Sequence, residues 1–504
     1  MKNSMERECE FLPWKIRDRK TADQIQYQDE LKKGNQLQID VNCYISPLAE
    51  IHDVSGIIGS DTVIGAGALI RTADIIMGKN CSVNTGVYMQ GKIRMGDNVR
   101  IGPKANIIAH NHGYFDITIP IDFQPTRIKG IDIGNDVWIG ADSVITDGVK
   151  IGSHSIIGAG SVVTKDVHDY TIVAGNPAKQ IKDRVEEYFR DSLHDFCNMV
   201  SAQVEHIVND HFVDGKFTDP NARDKNPNRA WCDAVEILSM FDKESSIMER
   251  EQLVRTIQSM QKDVIDYNVL CLGYCLENLS SRFEEPFLCV ENLKGENLNH
   301  FLNGLSWTNN AWEAGSVIDS LGTAFYHNKK YFNLEPDLET LFEWLEENVN
   351  PEHGLWGKSK DIHNMVNGYY RLTRGTYAQF NREVPCPEKV IDTVLEHSGK
   401  IFNDEKLETS CNVLDIIHPL WLTKKQSDYR SVEGKELAVK WINRIIANWV
   451  PDRGFAFLLT DHDNASLMGT EMWLSILYIM CDYLNITHLL TYSPKGVHRM
   501  YTEI

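Results

Sequence analysis

A chain of 504 residues exceeds one ordinary domain, so two domains, or an extended repeat body with a companion, are expected. Its 71 acidic against 51 basic residues leave a formal net charge of -20, which excludes a general nucleic-acid or anionic-membrane surface and leaves any anion to be held locally. Eleven cysteines, odd in number and mostly set in apolar runs, together with the lack of any stretch near the roughly 20 apolar residues that span a bilayer, point to a reduced, cytoplasmic protein.

Residues 1–37 form an N-terminal segment that opens with charges of both signs and has no apolar core of the signal-peptide kind. A period of six then dominates. Met77, Val83, Met89, Met95, Ile101 and Ile107 stand at six-residue intervals, and Ile133, Ile139, Ile145, Ile151, Ile157 and Val163 resume it after a gap. Upstream, Ile39, Ile45 and Ile51, then Ile58, Ile64 and Ile70, keep the beat with slips between. Six matches neither a helix face nor a half-buried strand. It matches a parallel β-helix, in which each aliphatic residue points inward and stacks on its equivalent one coil away; the glycine that often follows is expected to allow a tight corner.

The gap, Ile108 to Asp132, carries two histidines and two prolines, and a long excursion from a regular solenoid is usually functional. His110 and His112 both have the right chemistry for a base, and residue type alone leaves the choice between them open.

Ala109-His110-Asn111-His112-Gly113, Ile133-Gly134-Asn135-Asp136-Val137-Trp138-Ile139-Gly140, Ile157 to Asp166 and Gly175-Asn176-Pro177-Ala178-Lys179 together resemble the hexapeptide acyltransferases, in particular sugar O-acetyltransferases related to maltose and galactoside acetyltransferases. The resemblance implies a left-handed parallel β-helix over 38–185 that works as a homotrimer with its active sites between subunits. It implies transfer of acetyl from acetyl-CoA to a hydroxyl of a sugar, or of a glycosylated or polyketide-like small molecule. His112 would be the general base, with His110 an inward-packed or supporting neighbour, and the backbone amide of Ala141 the oxyanion donor. Asn84, His110 and Trp138 would meet the acceptor. Gly140, Ala159, Thr164, Lys165, Lys179, Lys182 and Arg184 would line the coenzyme, although relatives often carry Arg at Lys182 and the acidic Asp183 follows it. No metal is expected; His52, His154 and His168 stand alone in turns.

Past Arg184 the period stops, and 186–504 reads as all-α. Helical spacing of apolar residues covers Val185 to His206, Arg229 to Asp242, Arg250 to Glu277, Asn310 to His327, Leu338 to Asn348, Glu388 to Ser398, Lys435 to Asn448 and Ser466 to Leu484. Turns containing Gly and an aromatic residue, such as Gly304-Leu305-Ser306-Trp307 and Gly354-Leu355-Trp356, precede several of them. The pattern resembles α/α toroids, whose inner helices surround a pocket. Asp233, Asn310, Glu313, Asn364, Asn367, Asn412, Asp415, His418 and Glu471 are the polar candidates for its wall. Cys411, Asp415 and His418 share one helix face, a spacing that reflects core packing more often than a metal site. A separate cyclase-, lyase- or glycosidase-like catalyst in this half, or a trimeric binding scaffold, are the alternatives.

Overall fold

The computed structural model describes residues 21–34, 36–223, 226–359 and 361–498. The chain divides into two compact units, Met1–Tyr188 and Phe189–Ile504.

The first unit is a β-solenoid of short parallel strands whose inward aliphatic residues form three columns. One runs Ile39, Ile58, Met77, Met95, Ile133, Ile151, Val167; a second Ile45, Ile64, Val83, Ile101, Ile139, Ile157, Val173; the third Ile51, Ile70, Met89, Ile107, Ile145, Val163. All but Ile39 are buried, and they form one continuous core. The slips in the six-residue beat fall between the third column and the first, where seven residues separate Ile51 from Ile58 and Ile70 from Met77; the second shows as an irregularity between Arg71 and Asp74. The excursion lies on this same edge, between Ile107 and Ile133.

The glycines act differently from the sequence expectation. Left-handed backbone at the corner falls three residues before each second-column residue, at Asn42, Asp61, Asn80, Asn98, Asp136, His154 and Tyr170. Asn and Asp tolerate that conformation best among residues with a side chain. The glycine after the aliphatic residue is needed for close stacking of coils: a Cβ on Gly140 would lie 2.5 Å from Ala159 N, and one on Gly102 2.6 Å from Ala141 N. A side-chain ladder ties one corner together, with Lys79 N donating to Asp97 Oδ1, Asp97 N to Asn135 Oδ1, Asn135 N to Ser153 Oγ and Ser153 N to Asp169 Oδ1.

Helix α1 (Ala22–Gly34) covers the first coil: Leu31 joins the core, Gln28 Nε2 donates to Cys43 O and Gln24 Nε2 to the Tyr44 hydroxyl. At the far end, Lys179–Asp183 pairs antiparallel with Thr171–Ala174, which stops the parallel ladder.

The second unit continues from α2 (Arg184–Asp210) through α3 (Arg229–Met240), α4 (Arg250–Gln258), α5 (Asn268–Asn278), α6 (Gly295–Asn303), α7 (Ala311–Phe332), α8 (Leu338–Asn348), α9 (Ile362–Thr373), α10 (Pro387–Phe402), α11 (Ser410–Lys424), α12 (Ser431–Ala447) and α13 (Leu467–Tyr483). Helices α3, α5, α7, α9, α11 and α13 each pack on the next, and α13 returns to α3, closing a six-helix ring; α4, α10 and α12 pack outside it. Side chains start several inner helices: Glu313 N donates to Asn310 Oδ1, Asn412 N to Thr409 Oγ1 and Gly469 N to Ser466 Oγ. The expected single helix from Arg250 to Glu277 is two, because Asp266 accepts from Asn268 N and starts α5 afresh, while Asp263 accepts from Cys289 N. Glycines let α7 and α9 touch backbone to backbone: a Cβ on Gly315 or Gly322 would collide with the carbonyl of Gly368 or Gly375. Among the described residues no helix is long and apolar enough to cross a membrane.

Candidate active site

The strand Asn106–Ala109 carries the third column outward to the histidines. Asn111 and Arg127 exchange two backbone hydrogen bonds of 2.8 Å, which close the excursion at its base. His112 is exposed just beyond that bridge, and Gly113 behind it is buried so tightly that a Cβ would lie 2.7 Å from Pro125 O. The His110 ring sits 6.2 Å from that of His112, and its Nδ1 is buried with no hydrogen-bond partner among the described residues. Residue type left the two histidines equivalent; their surroundings separate them.

The excursion is organised by residues that the sequence reading passed over. Gln124, nearly buried, donates through Nε2 to Asp116 O and Ile119 O and accepts at Oε1 from Asp116 N. Arg127 stands 4.1 Å over the Phe115 ring, which stacks on Tyr114. Around this frame Tyr114, Phe115, Ile117 and Phe123 are exposed, Ile117 by 96%. A buried Gln that satisfies both directions of a loop has no periodic signal, so only the folded loop reveals it.

The expected site residues fall on two separate edges. On the edge between the third and first columns lie His110 and His112, and two layers farther on Thr164 and Lys165 follow Val163 in the same way. Thr164 and Lys165 share with Lys179 a groove of about 330 Å3 that Pro177 and Ala178 help to line. On the second-column face, Trp138 is 56% exposed, in register with Arg100 and Ile156 on neighbouring layers. The corner that follows holds Asn84, Gly140, Ala141 and Ala159. The Ala141 carbonyl accepts from Gly160 N, and among the described residues its N–H makes no backbone hydrogen bond. Ala141 leads into the strand Val144–Thr146 that pairs with Asn106–Ile108, so it enters the layer that the histidines leave. One copy of the chain therefore does not bring Ala141 to His112.

Two expected coenzyme residues are engaged elsewhere. Lys182 Nζ pairs with Glu187 Oε2 at 2.7 Å, and Arg184 Nη1 donates to His154 O at 2.6 Å and to Asp136 Oδ2 at 3.3 Å. Neither lines the groove. His154 is not alone in its turn, since its ring stacks on Tyr170 and Nδ1 meets Asp136 Oδ2 at 3.0 Å; His52 similarly reaches Glu50.

In the helical unit, several candidates serve the fold. Asn310 and Glu313 bond to each other at the start of α7, Asn364 accepts from Trp312 N, and Asn412 Nδ2 donates to Leu407 O. Others meet in the ring's interior. Arg229 Nε donates to Asp233 Oδ2 at 3.2 Å, and Glu471 pairs with His498 Nδ1 at 2.9 Å and accepts from Ser475 Oγ. Asn367, with its amide turned to suit both neighbours, donates to Asp415 Oδ2 at 2.9 Å. His418 lies edge-on to Tyr370. Burial pushes the Asp415 carboxyl well above the carboxylate range and the His418 imidazole well below its usual value. Among the described residues no cluster of three or more His, Cys, Asp or Glu side chains is placed to hold a metal, and Cys411, Asp415 and His418 form no such group.

Comparison with known proteins agrees with the repeat. Residues 57–90 match the hexapeptide repeat of succinyl-transferase and residues 130–165 the bacterial transferase hexapeptide, described as six repeats. A chloramphenicol acetyltransferase of Escherichia coli is 35% identical over 128 residues, 22% of this chain and 53% of that protein. A probable macrolide acetyltransferase of Lysinibacillus sphaericus is 40% identical over 115 residues, 22% of this chain and 62% of that protein. The chain spans about half the length of the curated relatives it matches. Among solved structures, galactoside acetyltransferase in complex with coenzyme A aligns over 36% of this chain and 82% of that one at 24% identity, with a TM-score of 0.25.

Proposed function

We propose that the solenoid transfers an acetyl group from acetyl-CoA to a hydroxyl of a small acceptor, with His112 as general base, at sites shared between copies in a homotrimer. The observation that carries this reading is the division of the candidate residues between two edges: His112, Thr164 and Lys165 on one, Asn84, Trp138 and Ala141 on the other. A neighbouring copy that laid one edge against the other would complete the site. The thioester of acetyl-CoA would then lie between them, its pantetheine arm along the Gly140 and Ala159 corner and its phosphates toward Lys165 and Lys179.

In that geometry the acceptor hydroxyl gives its proton to a neutral His112 imidazole as its oxygen attacks the thioester carbon. The Ala141 N–H, with no bond inside its own coil, is free to stabilise the developing oxyanion. Collapse expels the coenzyme thiolate, which takes up a proton from His112. No acyl-enzyme is needed.

The excursion favours a lipophilic acceptor. Its exposed Tyr114, Phe115, Ile117 and Phe123 offer apolar contact, and among the relatives are acetyltransferases named for chloramphenicol and for macrolides. Chloramphenicol is then expected to be acetylated faster than methyl galactoside; the reverse order would return the reading to a plain sugar.

His112→Ala is expected to lower kcat by roughly 10²- to 10⁴-fold. Mixing tests the shared site: chains carrying His112→Ala, co-assembled with chains carrying Asn84→Ala and Trp138→Ala, should recover about a quarter of wild-type activity by random pairing in a closed ring. Wild-type turnover by His112→Ala, or no recovery on mixing two inactive variants, overturns the proposal.

A further inference from the structure

We propose that the helical unit carries a second ligand site, separate from acetyl transfer, that takes a small primary ammonium compound with an apolar carbon skeleton. The site is a cavity of about 350 Å3 lined by residues of the hairpin Phe212–Phe217, by Thr218, Asp219, Pro220 and Ala222, by residues 226–228 and by the first turns of α3. That volume lies within the range of small-molecule pockets, and the lining has their composition, apolar walls with a few convergent polar groups. Phe217, Pro220 and Trp231 supply the walls; Asp219, Arg229 and Asp233 supply buried charge, and Lys216, exposed, stands at the rim.

Two of those charges answer each other. Arg229 Nε donates to Asp233 Oδ2 at 3.2 Å, with both side chains buried. Asp219 is left over. Its side chain is 4% exposed and its Oδ2 accepts from Met468 N at 3.0 Å, at the start of α13. Its Oδ1 has no hydrogen-bond partner among the described residues, and His211 Nε2 is 4.0 Å away. A buried carboxylate oxygen without a donor is costly. Burial pushes the Asp219 carboxyl above its usual range despite the nearby Arg229 and His211, and the same burial raises Asp233 to about 7. The missing partner is a donor with positive charge, and the surrounding wall asks for carbon. An alkyl- or arylammonium ion supplies both at Asp219 Oδ1, and a neutral alcohol would supply the donor without the charge.

The full chain titrated with benzylammonium chloride and, separately, with its neutral isostere benzyl alcohol tests this, with binding read by saturation-transfer NMR. The amine should bind at least tenfold more tightly, since hydrogen bonds to charged groups are about that much stronger in context. Asp219→Asn keeps an oxygen for Met468 N–H and should abolish the preference. Ala222→Leu, which narrows the cavity without touching a charge, should weaken both probes. Equal binding of amine and alcohol, binding by neither, or an amine preference that survives Asp219→Asn overturns the site. Should Asp219→Asn fail to fold, unchanged amine binding by Ala222→Leu overturns it instead.

Discussion

The two units solve the burial problem in opposite ways. The solenoid keeps charge out of its interior: three aliphatic columns form one continuous core, and the polar side chains buried with it, such as Thr62, Ser143, Ser155 and Ser161, are small hydroxyls that donate to backbone carbonyls. The helical ring puts charge inside: Arg229 with Asp233, Arg374 with Asp319, Glu471 with His498. A repeated coil can satisfy its backbone by stacking and needs nothing polar at its axis, whereas side chains that converge inside a ring must answer one another one by one. Damage should therefore be graded by position within the ring, yet be much the same from coil to coil in the solenoid.

The largest effect expected from this contrast is at Asp319. It accepts from Arg374 Nε and Nη2 in the ring's interior, Tyr370 accepts from Arg374 Nη1, and a turn of π-helix at Arg374–Ala378 follows α9. Asp319→Ala leaves a buried guanidinium without its counter-charge and should cost about 3–5 kcal/mol in urea unfolding. Tryptophan fluorescence is the right readout, because of the eleven tryptophans only Trp14 and Trp138 lie outside Phe189–Ile504. A cost under about 1 kcal/mol would place this pair with ordinary surface ion pairs and break the contrast.

The helical unit should also be the acid-sensitive half. His363 Nδ1 and His397 Nε2 meet at 3.1 Å, and burial lowers both; His397 falls to about 4, with His363 and Lys400 adding to the effect of burial. Its folded-state value lies below the unfolded value near 6.5, so the unfolded chain takes up a proton that the folded chain refuses. This contribution to stability is complete above about pH 6.5 and is lost as pH falls toward 4, by about 3 kcal/mol at the upper end. His397→Gln should flatten the fall of the fluorescence-detected midpoint over that window. An unchanged slope would mean that other groups set the acid limit.

How much of this the sequence disclosed follows the same division. The hexads were legible because each coil repeats one rule, and the spacing from Ile133 to Val163 alone announces inward positions of all three columns. The expectation of active sites between subunits came from the resemblance and not from spacing; that His112 and Ala141 stand on different edges is visible only in the strand order around the axis. In the ring, helix spacing marked Asp233, Asp415 and Glu471 as candidates. Arg374 went unnoticed because its partner lies 55 residues away, and only ring closure shows which way the turn after α9 faces. Helix α1 was missed for another reason: it holds the first coil through Gln24 and Gln28, whose polarity hides a contact face.

In the solenoid, Gly140→Ala probes close stacking. The new Cβ would lie 2.5 Å from the backbone N of Ala159, and backbone cannot step aside as a side-chain tip can. A loss of about 1–3 kcal/mol is expected, seen in the far-UV strand signal while tryptophan fluorescence holds its midpoint. Because Gly102 meets Ala141 N at 2.6 Å in the same way, Gly102→Ala should cost a similar amount. Very different costs at the two positions would show that the coils are not equivalent.

The smallest effect reverses sign. Gly399 lies on the exposed side of α10, and a Cβ there would meet nothing within 4 Å. Its carbonyl accepts from Asn403 Nδ2, a bond that a methyl group at Cα does not disturb. Gly399→Ala should therefore stabilise the helical unit by about 0.5–1 kcal/mol, because the unfolded chain loses freedom that only glycine has. One substitution type, harmful where coils press together and helpful where a helix faces solvent, isolates packing from backbone propensity. If Gly399→Ala destabilises, the outer face of α10 is covered by something beyond the described residues, and the layer of helices outside the ring is not the outermost of that unit.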